Sequence, residues 1–345
     1  MLKGIIIKEY KKRAFARNNG NPAVTYFTNE DFPPMKKEEA SFKNKKGALL
    51  KGAFYYNEAK STERIVLLEH GMGAGHRAYM SEINMLTSHG YTVFSYDHYG
   101  CGDSEGEGVN GFGGSLPDLA CAVSFLKESG YPAKGISVIG HSWGGYSTLN
   151  LPAIHGDINA CVAISGFISV ESIINQFLTG IARCARKSAL AIERNANPET
   201  YELDARKTLK STEVRMLIIH AENDPLVSYK NNFEALRSAL VDNDNVSYIR
   251  LTDRFHNPNY TKEAVALLNA MGAELKRTAS KLKTTEKIDA FKAKWDFKAM
   301  SEQDTAVWSS IFEHIESASS SSTETDEQTE LAELSEQDSS TSEQA

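Results

Sequence analysis

The sequence predicts one large α/β domain, built on a mostly parallel β-sheet flanked by helices. From residue 64 onward, short apolar runs alternate with amphipathic stretches of helical length. This alternation is typical of parallel strands joined by right-handed helical crossovers. One of the runs leads directly into Gly140-His141-Ser142-Trp143-Gly144 and then into a helical pattern. A segment of about fifty residues after a later run interrupts the alternation, and we interpret it as an inserted helical cap.

The predicted elements follow in chain order. The strands are short apolar runs bounded by turn residues, at 65–69, 92–96, 135–139, 160–164, 215–220 and 246–251. The helices lie between them, at 77–88, 116–129, 143–154, 229–241 and 260–282. Ahead of this series, 39–43 and 48–55 flank a turn-like Asn-Lys-Lys-Gly sequence. They predict an antiparallel hairpin at the edge of the sheet.

We assign residues 1–316 to this domain and place the cap insert at about 168–213. The insert carries apolar residues at helical spacing: Ile173, Ile174, Phe177, Leu178 and Ile181. Most of them are expected to pack the insert onto the domain, and a few to line a pocket at the carboxyl edge of the sheet. A helical extension is expected at about 284–316. The remaining residues, 317–345, are rich in Ser and Glu, which predicts a disordered acidic tail.

Composition excludes several classes of protein. The chain has 345 residues, of which 41% are hydrophobic, and this suits a globular enzyme with a sizeable core. Its apolar runs are too short for a signal peptide or an integral membrane segment. The four cysteines show neither Cys-x-x-Cys spacing nor the density of a disulfide scaffold, which favours a cytoplasmic location. The tail holds eight acidic residues, so the total charge of −7 leaves about +1 on the domain. This balance gives no electrostatic reason to expect nucleic-acid binding.

Ser142 has the sequence context of a catalytic nucleophile. A serine hydroxyl is a weak nucleophile, and hydrolases of this type hold it on a sharp turn between a strand and a helix, beside a base. The residues two before and two after the serine approach each other too closely for side chains. Gly140 and Gly144 meet that demand. The same five-residue pattern also arises by chance, and its position between a strand and a helix favours the catalytic interpretation.

An acid and a base follow in the chain order that such an enzyme requires. Asp224 lies just beyond the strand at 215–220, and His256 lies just beyond the strand at 246–251. A carboxylate at Asp224 can fix the tautomer of His256, which then accepts the proton of Ser142. Glu222 is an alternative acid two residues from Asp224, and Asp253 is a second carboxylate close to His256.

Two backbone N–H groups are needed to stabilise the oxyanion that forms when Ser142 attacks a carbonyl. The residue after the nucleophile, Trp143, supplies the first. Met72 is the expected second donor, because it lies in the glycine-rich loop at 70–75 that follows the first parallel strand. A glycine turn that only leaves the strand would have the same composition.

Three motifs together resemble the monoacylglycerol lipase and serine aminopeptidase-like group of α/β-hydrolases. They are HGMG at 70–73 with Tyr79 beyond it, DHYGCGDSEGE at 97–107 and GHSWGG at 140–145. The resemblance covers about residues 40–275 and implies an α/β-hydrolase fold. It assigns the triad to Ser142, Asp224 and His256, and the oxyanion donors to Met72 and Trp143. Ala74-Gly75 replaces the Glu-His that is frequent in the group, so a substrate contact made there by other members is missing.

These features predict a serine hydrolase that cleaves carboxylic esters, with short to medium acyl chains or a monoacylglycerol-like structure, through an acyl-serine intermediate. No cofactor or metal is expected, because the nucleophile, base and oxyanion donors all come from the chain. The expected partner is a small-molecule ester, and the oligomeric state stays open. The alternatives are an aminopeptidase or amide hydrolase, and an inactive hydrolase fold used for binding.

Overall fold

The apolar runs form one eight-stranded sheet in the computed structural model, which describes residues 2–317. The strands are β1 Lys36–Lys43, β2 Leu49–Tyr56, β3 Ile65–Glu69, β4 Thr92–Tyr96, β5 Ile136–His141, β6 Ala160–Ile164, β7 Arg215–Ala221 and β8 Val246–Leu251. Their order across the sheet is β1-β2-β4-β3-β5-β6-β7-β8. β2 pairs antiparallel with both β1 and β4, and all later neighbours are parallel. The predicted edge hairpin and the mostly parallel sheet are confirmed.

Both faces of the sheet are covered, which explains why the central strands are continuous apolar runs. In β3, Ile65 and Leu67 belong to one core cluster, whereas Val66 and Leu68 belong to the cluster on the opposite face. The β3, β4 and β6 strands are buried along their whole length. The sheet is therefore buried on both faces, and its parallel strands all direct their carboxyl ends to the same edge.

The helices cover the two faces and the carboxyl edge. They are α1 Leu2–Ala14, α2 Met80–Ser88, α3 Ser115–Glu128, α4 Trp143–Asn150, α5 Val170–Phe177, α6 Arg186–Ala196, α7 Ala205–Thr208, α8 Ala235–Ala239, α9 Lys262–Thr278 and α10 Thr285–Lys292, with a last helix, α11, that begins at residue 305. Helix α8 is preceded by a π-helical turn, Lys230–Glu234. Among the described residues, no helix is long and apolar enough to cross a bilayer.

The segment between β6 and β7 consists of α5, a 3-10 turn at Gly180–Ala185, α6 and α7. The apolar residues that the sequence singled out in this segment separate into two sets. Ile173, Ile174 and Leu178 are buried in a cluster that also contains Trp143 of α4. Phe177 and Ile181 are 49% and 75% exposed. The insert is thus attached by three of these five apolar residues and presents the other two to solvent.

The segment after α9 is not one continuous helical extension. It comprises α10, a 3-10 turn at Ala299–Ser301 and α11. Trp308, Ile311 and Ile315 of α11 are fully buried in the cluster that covers one face of the sheet. This part of the chain therefore completes the core. The predicted disordered tail at 317–345 lies outside the described residues except for Ser317.

Candidate active site

Ser142 occupies a strained turn between β5 and α4. Its φ is 57° and its ψ is −109°, a backbone conformation that a residue with a side chain rarely adopts. The two glycines of the motif make this turn possible. A Cβ on Gly140 would lie 2.3 Å from the Gly144 carbonyl oxygen, and one on Gly144 would lie 2.3 Å from the Glu69 carbonyl oxygen. The turn thus lifts the Ser142 hydroxyl out of the sheet edge, where it is partly exposed.

The structure brings together the three residues that the sequence proposed as a triad. His256 Nε2 lies 2.8 Å from Ser142 Oγ, and His256 Nδ1 lies 2.8 Å from Asp224 Oδ2. An ionised carboxylate only accepts hydrogen bonds, so Nδ1 carries the proton in this arrangement. Nε2 is then free to accept the proton of the serine hydroxyl.

Asp224 is held as a carboxylate by several donors. Its Oδ1 accepts hydrogen bonds from the backbone N–H groups of Leu226 at 2.8 Å and Val227 at 3.0 Å. His220 Nε2 lies 3.3 Å from Oδ2. Burial alone would raise the pKa of Asp224, but the hydrogen bonds from His220 and His256 and the charge of His256 keep it well below its usual range.

The two alternative carboxylates are engaged elsewhere. Glu222 Oε1 forms an ion pair with Arg250 at 3.2 Å, and its side chain is half-exposed. Asp253 Oδ2 lies 3.5 Å from Lys262 Nζ, and both side chains are exposed. Asp224 is therefore the carboxylate that the fold places against His256.

His141, the residue before the nucleophile, connects the loops around Ser142. Its Nε2 donates to the backbone carbonyl of His256 at 2.8 Å, and its Nδ1 accepts from the Tyr79 hydroxyl at 2.8 Å. The same hydroxyl accepts the Gly71 N–H at 2.9 Å. Burial lowers the pKa of His141 to about 3, so the ring stays neutral and can donate and accept at once. The loops that carry Met72 and His256 are thereby linked to the turn of Ser142.

The expected oxyanion donors lie on either side of the nucleophile. Trp143 is the first residue of α4, and the first N–H groups of a helix have no intrahelical acceptor. Met72 follows Gly71, and a Cβ on Gly71 would lie only 3.3 Å from Ser142 Cβ. The Met72 side chain packs against the buried cluster that contains Trp143. The loop that precedes Met72 thus closely approaches the Ser142 side chain.

Buried polar groups support the loop of Met72 from below. His70 Nδ1 donates to the Gly71 carbonyl at 2.7 Å, and its Nε2 accepts the His98 N–H at 3.1 Å. Burial lowers the pKa of His70 to about 3. His98 Nε2 lies 2.7 Å from Glu69 Oε1. Burial alone would lower the pKa of His98, but the Glu69 and Asp118 carboxylates raise it to about 9.

Sequence reasoning missed Tyr79 and His141 as parts of the site, although both lie in the recognised motifs. Their adjacency to the motifs was the available signal, because His141 directly precedes Ser142. It also missed Arg254, whose Nη2 lies 2.5 Å from Asp304 Oδ2 and anchors the loop of His256. Within residues 2–317, no group of three or more His, Cys, Asp or Glu side chains is arranged to hold a metal ion.

The chain is similar in sequence to several known proteins. Residues 60–202 match the family model described as serine aminopeptidase, S33. Over 124 residues the chain is 28% identical to a monoglyceride lipase homolog of monkeypox virus, an alignment that covers 34% of this chain and 44% of the viral protein. Over 206 residues it is 23% identical to the uncharacterized protein YfhR of Escherichia coli strain K12, covering 58% of this chain and 67% of YfhR. The chain thus spans less than half of the viral protein.

Solved structures with the same fold include an esterase of Pyrococcus furiosus, with a TM-score of 0.55 and 19% identity over 81% of this chain and 99% of the esterase. Est1E from Butyrivibrio proteoclasticus, solved with ferulic acid bound, has a TM-score of 0.52 and 16% identity over 68% of this chain and 98% of Est1E. The chain therefore has the α/β-hydrolase fold, and the family model and the viral relative support the predicted resemblance to the monoacylglycerol lipase and serine aminopeptidase-like group.

Proposed function

We propose that this protein is a serine hydrolase that cleaves carboxylic esters through an acyl-serine intermediate. The observation that carries the proposal is the position of His256, whose two ring nitrogens each lie 2.8 Å from an oxygen, one of Ser142 and one of Asp224. This arrangement provides a nucleophile, a general base and a group that orients the base.

In the proposed reaction, Ser142 Oγ attacks the ester carbonyl while His256 Nε2 takes the hydroxyl proton. Asp224 accepts the Nδ1–H of the resulting imidazolium and stabilises its charge. The backbone N–H groups of Met72 and Trp143 donate to the oxyanion. His256 then gives its proton to the leaving alcohol, and the acyl group remains on Ser142. A water molecule, activated by His256, releases the acid by the same steps.

The surroundings of Ser142 support an apolar acyl group as the preferred substrate part. Phe167 and Leu178 belong to the same buried cluster as Trp143, and the partly buried Phe112 and Met72 pack against it. Exposed Phe177, which stacks on Phe112, extends this apolar surface toward solvent. Arg183 and Arg186 of the cap line a cavity together with Asp224, and cations there disfavour the cationic amino terminus of a peptide. The relative with the printed name monoglyceride lipase homolog supports a monoacylglycerol as one candidate ester.

The cytoplasmic location remains part of this proposal. All four cysteines are free, and Cys101 and Cys161 are buried. Free buried thiols are typical of a reducing compartment.

The test is an assay of the purified protein on p-nitrophenyl esters from C2 to C12, on monoacylglycerols and on aminoacyl p-nitroanilides. We expect kcat/KM to increase with acyl length by up to about fourfold per methylene, the equivalent of about 0.8 kcal/mol, until the apolar surface is covered. A clear preference for the anilides would instead support an aminopeptidase. Failure of the protein to react with a fluorophosphonate probe would support an inactive binding protein.

A further inference from the structure

A buried carboxylate in the cap lies at the centre of a three-way junction. Glu193 of α6 is fully buried. It accepts hydrogen bonds from the backbone N–H groups of Phe112 at 3.0 Å and Gly113 at 3.1 Å. The hydroxyl of Tyr10 in α1 donates to the same carboxylate. Burial of a charge is costly unless it is fully hydrogen-bonded, so this carboxylate holds α1, α6 and the loop of Phe112 in one arrangement.

The loop is shaped to fit against this carboxylate. Gly111 has a φ of +76°, and a Cβ there would lie 2.4 Å from Glu193 Oε1. One turn further along α6, Asn197 Nδ2 donates to the Asn110 carbonyl at 2.7 Å. The loop backbone therefore lies directly on the carboxyl-terminal half of α6.

The same loop contacts the residue next to the nucleophile. The Phe112 carbonyl accepts a hydrogen bond from Trp143 Nε1 at 2.8 Å, and Ser115 Oγ donates to the Trp143 carbonyl at 3.2 Å. The Phe112 ring stacks on Phe177 of the cap, with centroids 5.9 Å apart, and meets Phe167 edge-on at 6.1 Å. Glu193 is thus connected to Trp143 through a single residue, Phe112.

Helix α1 closes the junction from outside the matched family region. Residues 2–14 lie ahead of residues 60–202, which match the family model. Tyr10 and Ala14 are the buried residues of α1, and the Tyr10 ring packs against Phe112 at a centroid distance of 6.3 Å. The side chain that completes the hydrogen bonds of Glu193 is therefore supplied by a segment outside the matched residues.

We propose that Glu193 is a positioning residue for catalysis, which fixes the Trp143 N–H in the oxyanion site through Phe112 and is itself held by Tyr10. The proposal rests on the proposed function, because it assumes that Trp143 donates to the oxyanion. An oxyanion donor must be preorganised to be effective. Release of the Phe112 loop frees the Trp143 indole and removes that preorganisation, so the chemical step slows. With p-nitrophenyl acetate, whose acyl group ends in a single methyl, substrate binding changes little.

The experiment compares Glu193→Ala and Glu193→Gln with Glu202→Ala, a control in the cap. Glu202 carries the same charge, is exposed, and pairs with Arg194 at 2.8 Å. A fluorophosphonate titration counts the active sites, and kcat is then expressed per titrated site. We expect Glu193→Ala to lower this kcat about tenfold or more with KM within about twofold, since complete loss of an oxyanion donor costs about 10²- to 10³-fold. Glu193→Gln retains one acceptor oxygen and should recover part of the loss, whereas Glu202→Ala should match the parent.

A second readout reports on the oxyanion itself. A trifluoromethyl ketone forms a tetrahedral adduct on the serine. Its inhibition constant should increase by the same factor by which kcat/KM falls. Tyr10→Phe keeps the aromatic packing and removes one hydrogen-bond donor to Glu193. It therefore replaces Glu193→Ala in the experiment if that variant fails to fold. We expect it to lower kcat per site about two- to fivefold, with an effect that is not additive with that of Glu193→Gln.

Unchanged kcat per titrated site in Glu193→Gln and Tyr10→Phe would overturn the proposal, even if both variants lose stability. An increase in KM with unchanged kcat would also overturn it, because that result assigns Glu193 to substrate binding. A parent protein that does not react with the fluorophosphonate is a separate result, which would overturn the proposed function before the variants are compared.

Discussion

At Ser142, the left-handed backbone is set by the neighbouring strand and helix, and the hydroxyl itself is not needed to form the turn. The Ser142 N–H donates to the Ile164 carbonyl at 2.8 Å, and the Ser142 carbonyl accepts from the Tyr146 N–H at 3.0 Å. Ser142→Ala should therefore keep the fold and lower kcat by at least about 10³-fold, because only binding and oxyanion stabilisation remain. Circular dichroism and hydrolysis of p-nitrophenyl acetate measure the two properties. A folded alanine variant that retains more than about a tenth of the parent rate, a loss of about 1.4 kcal/mol or less, contradicts the assignment.

Asp224 and Glu222 provide a matched pair of acid variants two residues apart. Asp224→Asn should lower kcat by about 10³- to 10⁴-fold, because the amide favours the wrong tautomer of His256. Glu222→Gln removes only an exposed ion pair with Arg250, so its kcat should stay close to that of the parent. The comparison uses kcat of both variants under the same conditions. An equal or larger loss in Glu222→Gln would transfer the acid role to that residue.

At the scale of single elements, a variant in α11 can show whether the carboxyl-terminal extension unfolds together with the sheet. Ile311 is fully buried, whereas Ile154 is 43% exposed. Ile311→Ala should lower the free energy of unfolding by about 2–5 kcal/mol, since it leaves a cavity in the core. Ile154→Ala should cost less than about 1 kcal/mol. Urea denaturation followed by fluorescence measures both. An equally small loss of unfolding free energy in both variants would show that α11 is a separate, weakly attached segment.

Strands were the elements that sequence predicted best. β3, β4, β6 and β8 have the predicted bounds, and β5 and β7 differ by only one or two residues at their ends. A strand buried on both faces leaves a continuous apolar run bounded by turn residues, which is readable without knowledge of its neighbours. Helix ends were less accurate because the last turns change type, as at the 3-10 turn Leu151–Ala153 after α4.

Helix α1 shows what sequence alone could not predict. It has no acidic residue in its first turn, contains Gly4 and buries only two side chains. Its stability depends on contacts with the cap, which is remote in sequence. The residues of the candidate site likewise fall into those that sequence could predict and those that it could not. Ser142, Asp224 and His256 lie at strand ends in a fixed chain order. The hydrogen bonds between Tyr79 and His141 and between Tyr10 and Glu193 instead join segments separated by 62 or more residues and have no local pattern.

For the whole molecule, Glu82 joins three distant parts of the chain and makes stability depend on pH. This carboxyl of α2 is buried, and it accepts from Asn259 Nδ2 at 3.3 Å; Asn259 in turn donates to Gln303 Oε1 at 3.0 Å. Burial raises the pKa of Glu82 to about 7 from 4.5, despite these hydrogen bonds. The folded protein therefore keeps a proton that the unfolded chain loses as pH rises above about 4.5. Since the folded state binds more protons, its stability falls between about pH 4.5 and pH 7.

Glu82→Gln removes this titration and still accepts the hydrogen bond from Asn259. The gain in its free energy of unfolding over the parent should grow from pH 5 to pH 8, to at most about 3 kcal/mol, since one pKa unit corresponds to about 1.4 kcal/mol. Urea denaturation at the two pH values measures it, with Glu58→Gln as an exposed control. A stability difference that does not change between pH 5 and pH 8 would show that Glu82 titrates as in the unfolded chain.

The two ends of the described chain lie at opposite edges of the sheet. Helix α1 packs against the cap at the carboxyl edge, while Glu316 Oε1 in α11 accepts from the Tyr91 hydroxyl at 3.1 Å, next to the start of β4. This polarity determines how the molecule is oriented when it is attached to something else. An attachment made through α11 leaves the carboxyl edge of the sheet, which carries Ser142, directed to the bulk solvent, whereas an attachment made through α1 lies on the side of the cap.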